Sequence, residues 1–173
     1  FPAPRIKCRV RKMQGSFSGG TAASLKATMA AAAKDLKIVG LLKNPFALTP
    51  GFEGPSQPMG LMPEYDSASG LWAAPFIMAP INTKNVHRTN ALLGHPYGTD
   101  FKYDEMLFTS IGDAGRAMAE TIGKMNPMAD SKGPKPGEGP SKEERDAGHY
   151  EIVFIAEGPD KTPRKAVVSG DRD

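Results

Sequence analysis

The sequence predicts an α+β domain in which helices cover a mainly antiparallel or mixed sheet. Three observations lead there. Strand-like and helix-like stretches alternate along the chain; the segment Tyr150 to Ala156 is apolar on both faces; and it turns back through Ala166, Val167 and Val168 as a hairpin, which is antiparallel by construction. With 173 residues, 39% of them apolar, the chain is long enough for one domain with its own core, and residues 1–173 are read as one domain.

Ile6, Cys8 and Val10 alternate with charge and predict a first strand that reaches about Ser18, where Gly19 and Gly20 end it. From Thr21, Leu25, Met29, Ala32, Ala33 and Leu36 recur at helical spacing, with Ser18 or Thr21 available to cap the helix. Residues 45–63 hold five prolines and three glycines, which sustain neither ladder nor helix, and are expected to form a long surface loop. After turn chemistry at Asp66 to Gly70, the run Leu71 to Met78 reads as a buried strand bounded by Pro80. Asn82 or Thr83 is expected to cap a second helix ending near Leu93, and a strand from Phe101 to Thr109 and a helix from Asp113 to Met125 follow. Residues 126–140 read as a second Pro- and Gly-rich loop, and Ser141 with Glu144 as a capping box.

Composition excludes several function classes. The net charge of +3 is small, and in the basic run Arg5, Lys7, Arg9, Arg11 and Lys12 all but the last two alternate with Ile6, Cys8 and Val10, so this run is read as a solvated strand face and no nucleic-acid partner is expected. The single cysteine, Cys8, rules out an internal disulfide, and no apolar run is long enough for a membrane span; cytoplasmic residence is the expectation. Strand-like sequence starts by Arg5 and the chain stops at Asp173 after another such run, which reads as a piece of a longer protein.

No Gly-x-Gly-x-x-Gly follows a strand and no Walker loop is present. The stretch Gly15 to Gly19 is no nucleophile elbow, because Phe17 stands where the serine belongs. His87, His95 and His149 lack zinc-site spacing, so no metal is expected, and Asp104 and Glu105 read as surface carboxylates of a strand. Two places carry ligand chemistry. At Gly19, Gly20 and Thr21 the amides of a helix start suit an anion, although two glycines in a turn also satisfy backbone geometry alone. The helix with Asn82, Thr83, His87, Arg88 and Asn90 turns Thr83 and Asn90 toward the face of Val86 and Leu93, where they need partners; these are substrate, or else the neighbouring backbone for Asn90 and water for Arg88.

Four segments in order, RKMQGSFSGGTAAS, WAAPFIMAPINTKNVHRTNALL, YGTDFKYDE and PGEGPSKEERDAGHYEIVFIAEG, resemble blocks of saccharopine dehydrogenase-like oxidoreductases of the trans-acting enoyl reductase type. The resemblance implies that this chain is the C-terminal α+β half of an enzyme whose N-terminal Rossmann domain binds NAD(P). It further implies a small-molecule or acyl substrate, a homodimer, no cofactor site within this chain and no redox activity by this half alone. The alternative is a stand-alone ligand-binding or assembly module. No catalytic residue is carried over; Asn82 to Asn90 and Gly19 to Thr21 fall in matched blocks and are the expected substrate wall and anion turn.

Overall fold

A computed structural model describes residues 3–15, 18–125, 135–158 and 162–171. The elements run β1 (Arg5–Gln14), α1 (Gly19–Lys34), α2 (Leu36–Lys43), β2 (Glu64–Asp66), β3 (Leu71–Pro75), α3 (Ala79–Leu92), β4 (Lys102–Phe108), α4 (Gly112–Lys124), α5 (Lys142–Asp146), β5 (His149–Glu157) and β6 (Pro163–Asp171). The six strands form one sheet in the order β2-β3-β4-β1-β5-β6, in which β1 and β4 are parallel and every other pair is antiparallel. This is the mixed α+β arrangement that the closing hairpin predicts.

Alternation decides the two faces. Met106, Phe108, Val153, Ile155 and Ala73 meet on one side as a core cluster, while Cys8, Phe101 and Tyr103 form a second cluster on the other, sealed by Val86 of α3 and by Ile6, Ile152 and Phe154. Strand β5 is paired on both edges and apolar on both sides, as expected. One extra residue, Arg11, bulges from β1 between Val10 and Lys12, and it pairs with Glu151.

The expected solvated basic face is instead buried charge. Arg9 is fully buried; its guanidinium donates to Asp104 at 2.6 Å and to Glu64 at 2.8 Å, and Asp66 lies 3.9 Å away. Lys7 reaches Glu157 at 2.9 Å and Asp66 at 3.8 Å, and Arg5 reaches Asp104 at 3.3 Å. Asp104 and Glu105, expected at the surface, are 2% and 6% exposed. A cation alternating with apolar residues faces water only if no carboxylate meets it, and here strands distant in sequence bring four.

Several boundaries also differ. Strand β1 stops at Gln14, and Gly19 and Gly20 open α1 rather than end a strand. Ser16 and Phe17 lie outside the described residues. Asp35 divides the helical stretch, capping the end of α1 and, through Oδ1 to Lys37 N at 2.9 Å, the start of α2; Leu36 is therefore 83% exposed instead of buried. Strand β3 ends at Pro75, and α3 begins at Ala79, with Pro80 in its first turn, so neither Asn82 nor Thr83 is a cap. The 45–63 segment is irregular as expected, yet it is more than a surface loop: Phe46, Thr49 and Gln57 are buried, and Gln57 bonds Phe101 O and Tyr103 N at 3.1 and 3.0 Å, along the edge of β4 that β3 leaves open. The Ser141–Glu144 capping box is present. Most of the second expected loop, 126–134, lies outside the described residues.

Candidate functional site

Helix α3 is the platform on which most of the candidate residues meet. Its N-terminal turns face β4, its middle receives the 42–54 segment, and its C-terminal turn holds the loop before β4.

Asn82 donates from Nδ2 to Glu105 Oε2 at 2.8 Å, and the Tyr103 hydroxyl donates to Glu105 Oε1 at 2.7 Å. Both carboxylate oxygens are thus satisfied by neutral donors in a buried place. Burial pushes the Tyr103 phenol well above its usual range, and pushes the neighbouring Cys8 thiol up to about 11, so neither ionises near neutrality. Glu105, Tyr103 and Gln57 were not among the sequence-based candidates. The signal was available for Glu105: a strand with Tyr103 and Leu107 on one face and Met106 and Phe108 on the other has no wet side for a carboxylate.

Thr83 and Lys84 line a small concavity of about 30 Å³ with Leu42, Pro45, Met59 and Leu61, the size of a single water. A wider cleft of about 360 Å³ opens within the loop itself, between Phe46, Glu53 and Gln57. Lys84 Nζ donates to Leu42 O at 2.7 Å, and partial burial holds its ammonium below the usual lysine range. One turn on, Arg88 donates to Leu48 O at 2.9 Å. His87 lies between them, 3% exposed, with its ring 4.5 Å from Phe46 and 5.9 Å from Phe101. Its Nε2 is buried without a hydrogen bond, and that burial pushes its pKa down to about 4, so the imidazole packs as a neutral ring. Phe52 stacks on His95 at 4.4 Å, a second aromatic pin for the same loop.

Asn90, 2% exposed, takes Tyr97 N at 2.9 Å and gives to Gly98 O at 2.9 Å. The backbone, one of the two partners open to it from sequence, fills its hydrogen bonds, while Leu93, expected on the same buried face, is 65% exposed.

Gly19, Gly20 and Thr21 sit apart from this platform, on a helix that packs against α2. Gly19 N donates to Glu138 O at 2.9 Å and Thr21 N to Ser18 Oγ at 3.3 Å. Those two amides are thus engaged inside the chain. Among the described residues no three His, Cys, Asp or Glu side chains are grouped to hold a metal ion, and no helix is long and apolar enough to cross a membrane.

No family model matches the chain, and no solved structure matches it. Its curated relatives are more informative. A protein of Mycobacterium tuberculosis provisionally named a trans-acting enoyl reductase is 34% identical over 170 residues, covering 84% of this chain and 40% of the relative. Trans-acting enoyl reductases of Mycobacterium bovis and Mycobacterium ulcerans are 31% and 30% identical, each covering 77% of this chain and 38% of the relative. The α3 platform and the sheet beneath it therefore belong to a chain that is similar to trans-acting enoyl reductases over most of its own length and spans about two fifths of theirs.

Proposed function

We propose that this chain is the substrate-side, C-terminal portion of an NAD(P)-dependent enoyl reductase of the saccharopine dehydrogenase-like type. In this reading a Rossmann domain outside the chain holds the nicotinamide, which supplies hydride when bound, and the chain alone performs no redox chemistry. The observation that carries it is the pairing of 34% identity over 84% of the chain with coverage of only 40% of the relative. Two features of the molecule support it. The amides at Gly19 and Thr21 are committed within the chain, and large apolar side chains stand in solvent around α2 and the start of α3: Leu36, Leu41, Leu61, Met62 and Ile81 are each at least half exposed, as expected of a surface that docks against more protein.

Within the site, the wider cleft between Phe46, Glu53 and Gln57 receives a small-molecule or acyl substrate, and Thr83, beside the water-sized concavity that adjoins it, belongs to its wall. Asn82 fixes the Glu105 carboxylate beneath it, and His87, Arg88 and Asn90 position the wall rather than touch the substrate. NADPH titration followed by fluorescence tests the reading, on this chain and on the longest protein that its gene encodes. Binding to the longer protein alone supports it; binding to this chain alone overturns the division of labour.

A further inference from the structure

Lys84 is a partly buried ammonium whose partners are all neutral. Its Nζ donates to Leu42 O at 2.7 Å and to Pro80 O at 2.8 Å, and no carboxylate among the described residues pairs with it. Those two bonds strut α3 against the end of α2. A carbonyl asks only for a donor, however, and a neutral amide would serve it without the cost of taking a charge out of water. That cost shows in the ammonium itself, which burial holds below the usual lysine range. A desolvated charge that lacks a counter-charge and stands beside a cleft is a place where an anion completes the structure.

We propose that Lys84 and Thr83 form a subsite for one negatively charged oxygen of the substrate. The polar side chains that line the concavity of about 30 Å³ are Lys43, Gln57, Thr83 and Lys84, and none of the described residues around it is acidic. Gln57 is engaged by Pro55 O, Phe101 O and Tyr103 N. The Thr83 hydroxyl and the Lys43 ammonium have no partner among the described residues, and Lys84, with three protons and two bonds, keeps one to give. These donors share one depression whose apolar walls, Leu42, Pro45, Met59, Leu61 and Ala79, limit competition from water. Its volume is that of a single water, which admits an oxygen atom and not a whole phosphate. The wider cleft shares Pro45, Gln57 and Met59 with it and takes the rest of the molecule. The ligand class is therefore a carboxylate or enolate oxygen at the end of an apolar chain. This deepens the reductase reading and rests on it for the identity of the ligand. Hydride from the nicotinamide of that reading bonds to the β-carbon of an enoyl group, the C=C pair moves toward the carbonyl, and the carbonyl π pair moves onto its oxygen. The resulting enolate later takes a proton from water at the α-carbon, and until then its charged oxygen is what these donors meet.

Titration of this chain with butyrate, a carboxylate on a short apolar tail, tests the subsite by amide NMR spectra and needs no cofactor. The expected result is saturable millimolar binding that shifts the Thr83 and Lys84 amides, while the neutral counterpart n-butanol leaves them in place. Lys84→Gln keeps a donor for the two carbonyls and removes the charge; it should weaken butyrate binding at least about tenfold with little change in the thermal unfolding midpoint. Thr83→Val, which does not touch the strut, should weaken it about threefold. No saturable shift overturns the proposal, and so does a Lys84→Gln protein that loses stability but binds butyrate as before, since Lys84 would then be a strut alone. Equal binding of inorganic phosphate also overturns it, because that shows attraction to an exposed cation rather than an enclosed oxygen. The outcome is separable from the NADPH titration. If the longer protein takes no NADPH while butyrate still binds at Lys84, the reductase reading falls and the oxyanion subsite stands; the converse removes the subsite alone.

Discussion

Arg9 and Asp104 lie on the two parallel strands at the middle of the sheet, joined by a 2.6 Å hydrogen bond between groups that water scarcely reaches. The pair is the hub of a network in which Glu64, Asp66, Lys7 and Arg5 also take part. Its members come from β1, β2 and β4, so the charges specify how three strands sit together. Removing one member leaves its partner charged, buried and undersupplied.

Asp104→Ala is accordingly expected to cost about 3–5 kcal/mol, read from urea unfolding. Arg11→Ala, which removes the exposed pair with Glu151, is expected to leave the urea midpoint almost unchanged. Equal costs would mean that the Arg9 network adds nothing beyond a surface ion pair.

His87 predicts an acid-sensitive stability. Its pKa falls from 6.5 to about 4 on folding, so the unfolded chain binds the proton more readily than the folded one. The contribution is fully present above pH 6.5 and is lost as the pH falls toward 4, reaching about 3 kcal/mol. His87→Phe, which keeps a ring between Phe46 and Phe101, is expected to flatten the dependence between pH 7 and 5. Unfolding midpoints of both proteins across that range check this; parallel curves would show that His87 is not the group titrating.

Neighbouring glycines are expected to behave oppositely. A methyl group on Gly19 would lie 1.7 Å from Lys135 O, whereas one on Gly20 meets nothing nearer than Ser18 Oγ at 3.8 Å. Gly19→Ala should therefore release the 135–138 segment and destabilise by about 1–3 kcal/mol, while Gly20→Ala should be neutral or stabilise by up to about 1 kcal/mol. Thermal unfolding separates the two.

Asn90 and Arg88 divide structural from substrate contributions. Asn90→Ala strands Tyr97 N and Gly98 O and should cost about 1–3 kcal/mol of stability, whereas Arg88→Ala leaves Leu48 O to water and should stay within about 0.5 kcal/mol. In the longest protein of the gene, kcat/KM for Arg88→Ala should remain within a few-fold of the parent, because Arg88 holds a wall rather than a ligand. A large fall in kcat/KM with unchanged stability would place Arg88 against the substrate instead.

What could be read in the sequence was whatever neighbouring residues decide. Tyr150 to Ala156 declares itself by alternation of β-branched and aromatic residues, and the Ser141–Glu144 box by a spacing that closes within one turn. Distant partners were not legible. Nothing near Arg9 indicates that Asp104 will cover it, so the same alternation reads as a wet face. The start of α3 was misplaced for a related reason: Met78 and Ala79 supply no capping side chain, and the helix is begun by Pro80 and by burial of Ala79, while Asn82, a good cap by type, is drawn inward by Glu105. In the candidate site, local reading found Asn90 and its backbone partners but could not find Gln57, whose role depends on a strand edge more than forty residues away.

The position of β1 has a consequence for the order of events during synthesis. Its parallel neighbour β4 and its antiparallel neighbour β5 are made only after Lys102 and His149 have left the ribosome, so the strand at the heart of the sheet emerges before either of the strands that flank it. Until then Arg9 lacks Asp104, Cys8 and Val10 lack the apolar cover of the flanking strands, and the segment is an unpaired strand awaiting contacts of high sequence separation. Helices α1 and α2 can form from local bonds in that interval, but the sheet can close only late, which makes the nascent chain most prone to aggregation shortly before β5 appears.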